Sequence, residues 1–335
     1  MIDQSVVYRI MAGIYGKLDF EYGERHISSF YDDPYWVKNL LDQSMQKYFE
    51  ALWEDLLVEE VPEFLSNMLY LGSNRAVAQR LYSFDKQDSE LNQNLMTYLK
   101  LKKEFETESK DWKEKAIDYA KFHEKKNKEE LRKYKSEINE LFVDINTYAS
   151  TWLRKFEICD SVVIESVDAF GVQIGCSVAL EKNGKKHSIA DEGYGCVQIL
   201  SVLVVIQNAI LHGTIEAMRK GKLVPIVLAM EEPENHLHPK LQSLLADMLL
   251  EASKEYDIHF IVETHSEYLI RKSQVLVKKW YEENKDADKT CPFQAYYIPQ
   301  NGTPYSLGYR KDGKFSESFG PGFYDESANL TFEIM

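Results

Sequence analysis

The residues of this chain best placed to do chemistry sit in the segment Ile226-Val-Leu-Ala-Met-Glu-Glu-Pro-Glu-Asn-His-Leu-His-Pro239. An apolar run, Ile226 to Met230, ends in two adjacent carboxylates, Glu231 and Glu232. A buried strand that delivers carboxylates to its C-terminal edge can hold Mg²⁺ through oxygen and polarise a water for attack on a phosphate. The simpler alternative is a strand that happens to end in a charged turn. The Pro-Glu, the His-Leu-His-Pro and the amphipathic segment that follow favour the sharper reading.

Two further segments complete a constellation. His259-Phe-Ile-Val-Glu-Thr-His-Ser266 is a second apolar run ending in a polar turn, and His265 there is placed to reach a γ-phosphate from the next strand edge. A lone histidine at a strand end is usually structural. Ala190-Asp-Glu-Gly-Tyr-Gly-Cys-Val-Gln198 is a glycine-bearing turn that opens a helix. Its backbone N–H groups could approach a phosphate closely, although an ordinary helix start reads the same way. Each signal is modest alone, and their order and spacing carry the argument.

The elements that must position these residues alternate. Val197–His212, Leu223–Met230, Pro239–Glu255, Ile258–Val262 and Ser266–Lys272 read as helix, strand, helix, strand, helix, which implies parallel strands with crossover helices. Before them, Ser161–Val167, Val172–Leu180 and Lys186–Ile189 read as a meander, with Asn183-Gly184 as a hairpin turn. From Ser89 to Phe156, Lys and Glu dominate without Pro or Gly, and apolar residues recur at helical spacing. Asn67–Arg75 reads as a short buried strand entering a glycine turn, and Val6–Ile14 and Tyr35–Leu57 as helices. After Lys289, Gln294–Ile298, Pro304–Arg310 and Lys314–Glu317 read as strands. The expected domains are a mixed segment 1–84, a charged helical insertion 85–157, a core 158–280 and a β-rich extension 281–335.

Bulk properties limit the function classes. With 335 residues and 44% hydrophobic content the chain can bury a sizeable core. A net charge of −14 gives no general affinity for DNA. The longest apolar run, around Ile199–Ile206, falls short of a membrane span, and the start lacks a signal-peptide pattern, so a cytoplasmic protein is expected. Cys159, Cys176, Cys196 and Cys291 lack metal-ligand spacing and read as reduced, buried thiols. His236 and His238, two apart, do not form a zinc pair, and His238 reads as a turn residue at a helix entry.

The order of glycine-bearing turn, Glu-Glu-Pro-Glu-x-His-Leu-His-Pro and Glu-Thr-His-Ser resembles the C-terminal half of ABC-type ATPases. Within them it is most similar to the AAA-type, OLD-like and RecF/SMC-like ATPases of bacterial genome maintenance and anti-phage defence. The specific match covers about Ala190–Ile270; Tyr70–Arg75 and Phe319–Glu326 also resemble family segments. The resemblance implies an α/β fold: an ABC-type lobe with parallel core strands, a helical insertion and β-rich flanks. It implies ATP and Mg²⁺ as cofactors. Asp191, Gly193, Gly195 and Gln198 would belong to the nucleotide-contacting signature loop. Glu231 would be the Walker B acid on Mg²⁺, usually Asp in the family. Glu232 would orient the water, Asn235–Pro239 would form the D-loop, and His265 would be the switch histidine.

One family part is missing. No Gly-x-x-x-x-Gly-Lys-Ser/Thr phosphate loop occurs; Gly171–Gly175 lacks the lysine and Gly184-Lys-Lys lacks the preceding glycine. The strand feeding that loop should be missing too. A split ATPase, a truncated product and a member that lost its site all fit, and the retained Glu232 and His265 favour the first two. The expected partners are a P-loop-bearing chain, a second copy, or an effector such as a nuclease. The functional expectation is an ATPase subunit contributing signature, Walker B and switch His to a shared site. Two alternatives stand beside it. One is a non-hydrolysing scaffold or sensor that controls an effector. The other is a TOPRIM-type nuclease using Glu263 with Asp286 and Asp288, which lacks an apolar strand before Asp286.

Overall fold

A computed structural model describes residues 65–73, 78–85, 89–123, 146–220, 224–284, 291–299, 303–320 and 323–334. The expected helices at Val6–Ile14 and Tyr35–Leu57, and the acids Asp286 and Asp288, lie outside the described residues.

The middle of the fold is helix α3, which runs from Tyr194 to Lys220. Every residue from Val197 to Leu211 is buried. A helix that is apolar on all sides must be covered on all sides, and the other elements do this. Helix α1 (Glu90–His123) lies alongside it, burying Leu91, Leu95 and Tyr98. The Asn208 amide donates to the Asn94 carbonyl at 2.9 Å, and Arg219 binds Glu104 and Glu108 at 2.6 and 2.8 Å. These contacts pair residues at nearly constant sequence offset, so α1 and α3 run in the same direction. Helix α2 (Asn146–Lys155) adds Trp152, 1% exposed, and Leu153. The Trp152 indole donates to Glu251 at 3.0 Å and the Tyr148 hydroxyl to the Met248 carbonyl at 3.1 Å, fixing α2 to helix α4 (Pro239–Tyr256). The charged stretch between Ser89 and Phe156 thus supplies core residues at both ends.

Helix α3 has the length and apolar character of a membrane span. This corrects the expectation that no segment reaches that length. The expected helix stopped at His212, whereas the real one runs two further turns and most of it is buried inside the fold.

Two sheets flank this helix. In the first, strands β1 (Met68–Leu71), β6 (Ile226–Glu231) and β7 (Ile258–Glu263) pair in parallel in the order β1-β6-β7. Helix α4 makes the crossover from β6 to β7, as the alternation implies. Strand β6 alternates strictly, with Ile226, Leu228 and Met230 buried. Strand β1 was expected to be buried, but, last in the sheet among the described residues, it exposes Met68 and Tyr70. The second sheet is antiparallel: β4 (Val172–Lys182) pairs with β3 (Ser161–Ala169) on one side and with β2 (Tyr82–Ser83) and β5 (Lys185–Ser188) on the other. Asn183 and Gly184 make the β4–β5 turn with φ of 53° and 71°, the left-handed pair that such a two-residue hairpin requires.

Beyond β7, helix α5 spans Glu267–Glu283. It is longer than the expected Ser266–Lys272 because Leu269, Ser273, Leu276 and Val277 keep an inward stripe past the charged residues. The C-terminal segment contains one hairpin, β8 (Ala295–Tyr297) with β9 (Tyr305–Leu307). The expected strand at Lys314–Glu317 reduces to a single bridge between Tyr309 and Phe315. The chain then ends in helix α6 (Asp325–Ile334), which the strand-like reading of this region missed.

All four cysteines are free; Cys159 and Cys176 are buried, whereas Cys196 and Cys291 are half-buried. Burial pushes the Cys176 and Cys196 thiols up to about 12 and Cys159 up to about 11. Those three should resist a thiol reagent in the native protein at about pH 8, where an ordinary thiol begins to ionise, and react in one burst on unfolding. A colorimetric thiol count with and without denaturant checks this. The antiparallel sheet has its own tight point. A Cβ on Gly175 would lie 2.0 Å from the Tyr82 carbonyl oxygen, backbone against backbone. Gly175→Ala should therefore detach β2 or strain β4, at about 1–3 kcal/mol, read as a lowered midpoint in urea unfolding.

Candidate functional site

The parallel register brings the acids together. Glu231 is opposite Glu263 across β6 and β7, and both point to the same face because side chains alternate. Tyr70, two residues lower on β1, shares that face, and its hydroxyl donates to Glu231 Oε1. That bond, with lesser effects of burial and of the neighbouring carboxylates, holds the Tyr70 phenol above its ordinary range.

At the next residue the chain turns sharply. Glu232 has φ of 40°, a left-handed conformation uncommon for a residue with a side chain. Its N–H still donates to the Glu263 carbonyl at 2.8 Å, extending the sheet ladder by one bond. The Asn235 side chain donates to Glu232 Oε2 at 3.3 Å, and the Asn235 N–H to the Glu232 carbonyl at 3.0 Å. Glu232 Oε1 faces His265 Nε2 at 3.5 Å. The imidazole is well exposed while Glu232 is about one-third exposed. Glu232 and His265 therefore meet at the C-terminal edge of the parallel sheet, with Glu231 the last residue of β6 before them, at the edge where ligands of open α/β sheets bind.

The loops around them are stitched together. Ser266 caps α5 by accepting the Leu269 N–H at 3.0 Å, and its hydroxyl donates to Gln242 Oε1 at 2.6 Å. Gln242 donates in turn to the Leu237 carbonyl at 2.9 Å. His238 caps α4 by accepting the Lys240 N–H at 3.4 Å, with Pro239 at the first helical position, in keeping with its expected place at a helix entry.

The glycine-bearing turn opens α3 as expected. Ser188 starts a single 3₁₀ turn, Ile189–Asp191, and α3 begins at Tyr194. Asp191 takes a two-point ion pair from Arg80 at 2.6 and 3.3 Å, both side chains largely exposed. A Cβ on Gly193 would meet nothing within 4 Å, whereas one on Gly195 would lie 2.9 Å from the His236 carbonyl oxygen. Gly195 is what allows the first turn of α3 to lie against the loop after β6. Tyr194 packs edge-on against the His236 ring at 4.7 Å between centroids. Gln198 lies within the core at 1% exposure, so its side chain does not reach the surface where Asp191 and Gly193 are.

The sequence reading gave no role to Tyr70, Glu234 or Gln242. Glu234 is 5% exposed, and the default for glutamate is exposure. The one available signal was the proline before it, which rigidifies the turn that buries it.

A model of the AAA ATPase domain family matches residues 33–270, well over half of the chain. The chain belongs to this family. No curated protein matches it. Solved structures similar to it include an Smc head bound to the C-terminal winged-helix domain of ScpA, at 18% identity over 42% of this chain and 40% of that one, with a TM-score of 0.29. A structure concerned with ATP-driven dimerization and DNA-stimulated activation of SMC ATPases shares 14% identity over 56% of this chain and 96% of that one, TM-score 0.29. An Smc head with an extended coiled coil, bound to the C-terminal domain of ScpA and derived from Pyrococcus furiosus, shares 18% identity over 55% and 48%, TM-score 0.24. The chain thus spans under half the length of two of these relatives. The family match, not these partial likenesses, places the chain.

Among the described residues no three His, Cys, Asp or Glu side chains converge into a closed metal cage. The oxygen donors of Glu231 suit Mg²⁺, which characteristically takes one or two carboxylates and completes its shell with water and phosphate oxygens. Ser266 provides a test of how the loop is held. Ser266→Ala removes a helix cap and the link to Gln242 together, and should lower stability by about 1–2 kcal/mol, measured by denaturant titration.

Proposed function

We propose that the edge formed by Glu231, Glu232 and His265 is the hydrolytic half of an ATP site. The single observation behind this reading is the 3.5 Å approach of Glu232 to His265 directly beside Glu231, at the sheet edge of a chain of the AAA ATPase domain family. In this reading Glu231 holds Mg²⁺, which would neutralise charge developing on the transferring phosphoryl group. Glu232 accepts a proton from, and orients, the attacking water. His265 donates to the γ-phosphate. Asp191, Gly193 and Gly195 present the turn that closes over a nucleotide held elsewhere.

These residues supply no phosphate-binding loop of the Gly-x-x-x-x-Gly-Lys-Ser/Thr kind. In this reading the loop comes from outside these 335 residues, from another chain or another stretch of polypeptide, and in the first case the working unit is an oligomer. We place it among ATPases of genome maintenance or anti-phage defence, with a nuclease-type effector as the kind of protein it would control. The competing reading, a scaffold that binds its effector without hydrolysis, draws on the same missing loop.

In the assembly containing the loop, Glu232→Gln should retain Mg²⁺-ATP and lose turnover by about 10²–10⁴-fold, the range a positioned general base supplies. Phosphate release and nucleotide retention on a gel-filtration column read the two effects. Unchanged turnover removes Glu232 from the mechanism. An assembly that forms normally yet never binds nucleotide supports the scaffold.

A further inference from the structure

We infer that Glu234 is a positioning residue that sets His265 on Glu232. Its side chain is 5% exposed in the loop after β6. Oε1 accepts the backbone N–H of His265 at 2.8 Å, across from the loop after β7. Oε2 is buried and has no hydrogen-bond partner among the described residues. A buried carboxylate with one bond is an expensive way to fill space, and an apolar residue would fill it at lower cost. Its one bond goes to the residue whose imidazole faces the neighbouring Glu232.

The geometry shows what the bond does. The imidazole of His265 is well exposed, so packing restrains it little. Thr264 Oγ1 binds the Ser266 N–H, and Ser266 caps α5, which fixes the chain after His265. Strand β7 fixes the chain before it. The His265 peptide between them is tied to the β6 loop through Glu234. Glu234 thereby acts on the reacting edge through His265. Its functional weight rests on the ATPase reading of Glu232 and His265; the contact itself does not.

The test uses the full chain with isotope-labelled histidine and no nucleotide. The chain has eight histidines, and loss of one imidazole signal in His265→Gln identifies the relevant one. Glu232→Gln should move that signal and leave the other seven in place. In a Glu234→Ala background the same change should leave the His265 signal nearly unmoved, and a Glu234→Gln background, which keeps an oxygen acceptor, should restore the response. A merely structural Glu234 would shift several histidines and melt the protein earlier without abolishing this response. If Glu234→Ala does not fold, Glu234→Asp, one methylene shorter, carries the same expectation. A full response without the Glu234 acceptor overturns the inference, as does the absence of any response to Glu232→Gln in the otherwise unchanged protein. Because no turnover is measured, these results stand apart from the nucleotide-retention experiment on Glu232.

Discussion

Burial of α3 is the constraint on which the rest of the structure depends. Fifteen successive residues from Val197 to Leu211 avoid water, and no single partner can cover a helix on every side. Helix α1 takes one flank, and α2, α4 and strands β1 and β6 of the parallel sheet lie against others, with the antiparallel sheet sharing the same core. The described residues of the charged sequence, 89–111 and 148–155, are therefore an outer layer with an apolar inner face. Arg219 joins that layer to α3 through Glu104 and Glu108, and such exposed contacts set register more than they add stability.

The same helix links core to chemistry. Its buried length holds its first turn in place, and Gly195 lets that turn approach the His236 carbonyl. The loop that touches Gly195 also contains Glu232, Glu234 and Asn235. On its other side this loop is tied to the residues after β7 through Glu234, Gln242 and Ser266. A shift in either strand end reaches the α3 turn through short, mostly polar contacts. The left-handed Glu232 and His236 mark where this loop bends hardest, and sparsely populated backbone conformations gather where geometry serves a site.

Strands β6 and β7 were legible in the sequence because each is a short apolar run bounded by polar turns, and the crossover helix between them left only a parallel pairing. Glu232 and His265 were legible as a pair because both follow such runs directly. Helix lengths were less so. Helices α3 and α5 each continue past polar residues whose contacts lie with partners distant in sequence, such as α1 against Arg219 and the aromatic C-terminal segment against Ser273 and Arg271. Glu234 was invisible for a related reason: glutamate gives no local sign of burial when its side chain's partner among the described residues, the His265 N–H, lies thirty-one residues away. Helix α6 was missed because the hairpin signals before it set the expectation for the whole C-terminus.

The register that pairs Glu231 with Glu263 has a thermodynamic side. Two carboxyl groups side by side on adjacent strands repel one another, and the Tyr70 hydroxyl donates to one of them, Glu231. A cation seated where β6 and β7 finish would ease this repulsion and tighten the folded state by mass action in proportion to its affinity. Occupancy of such an edge by a cation and conformational stability would then rise and fall together.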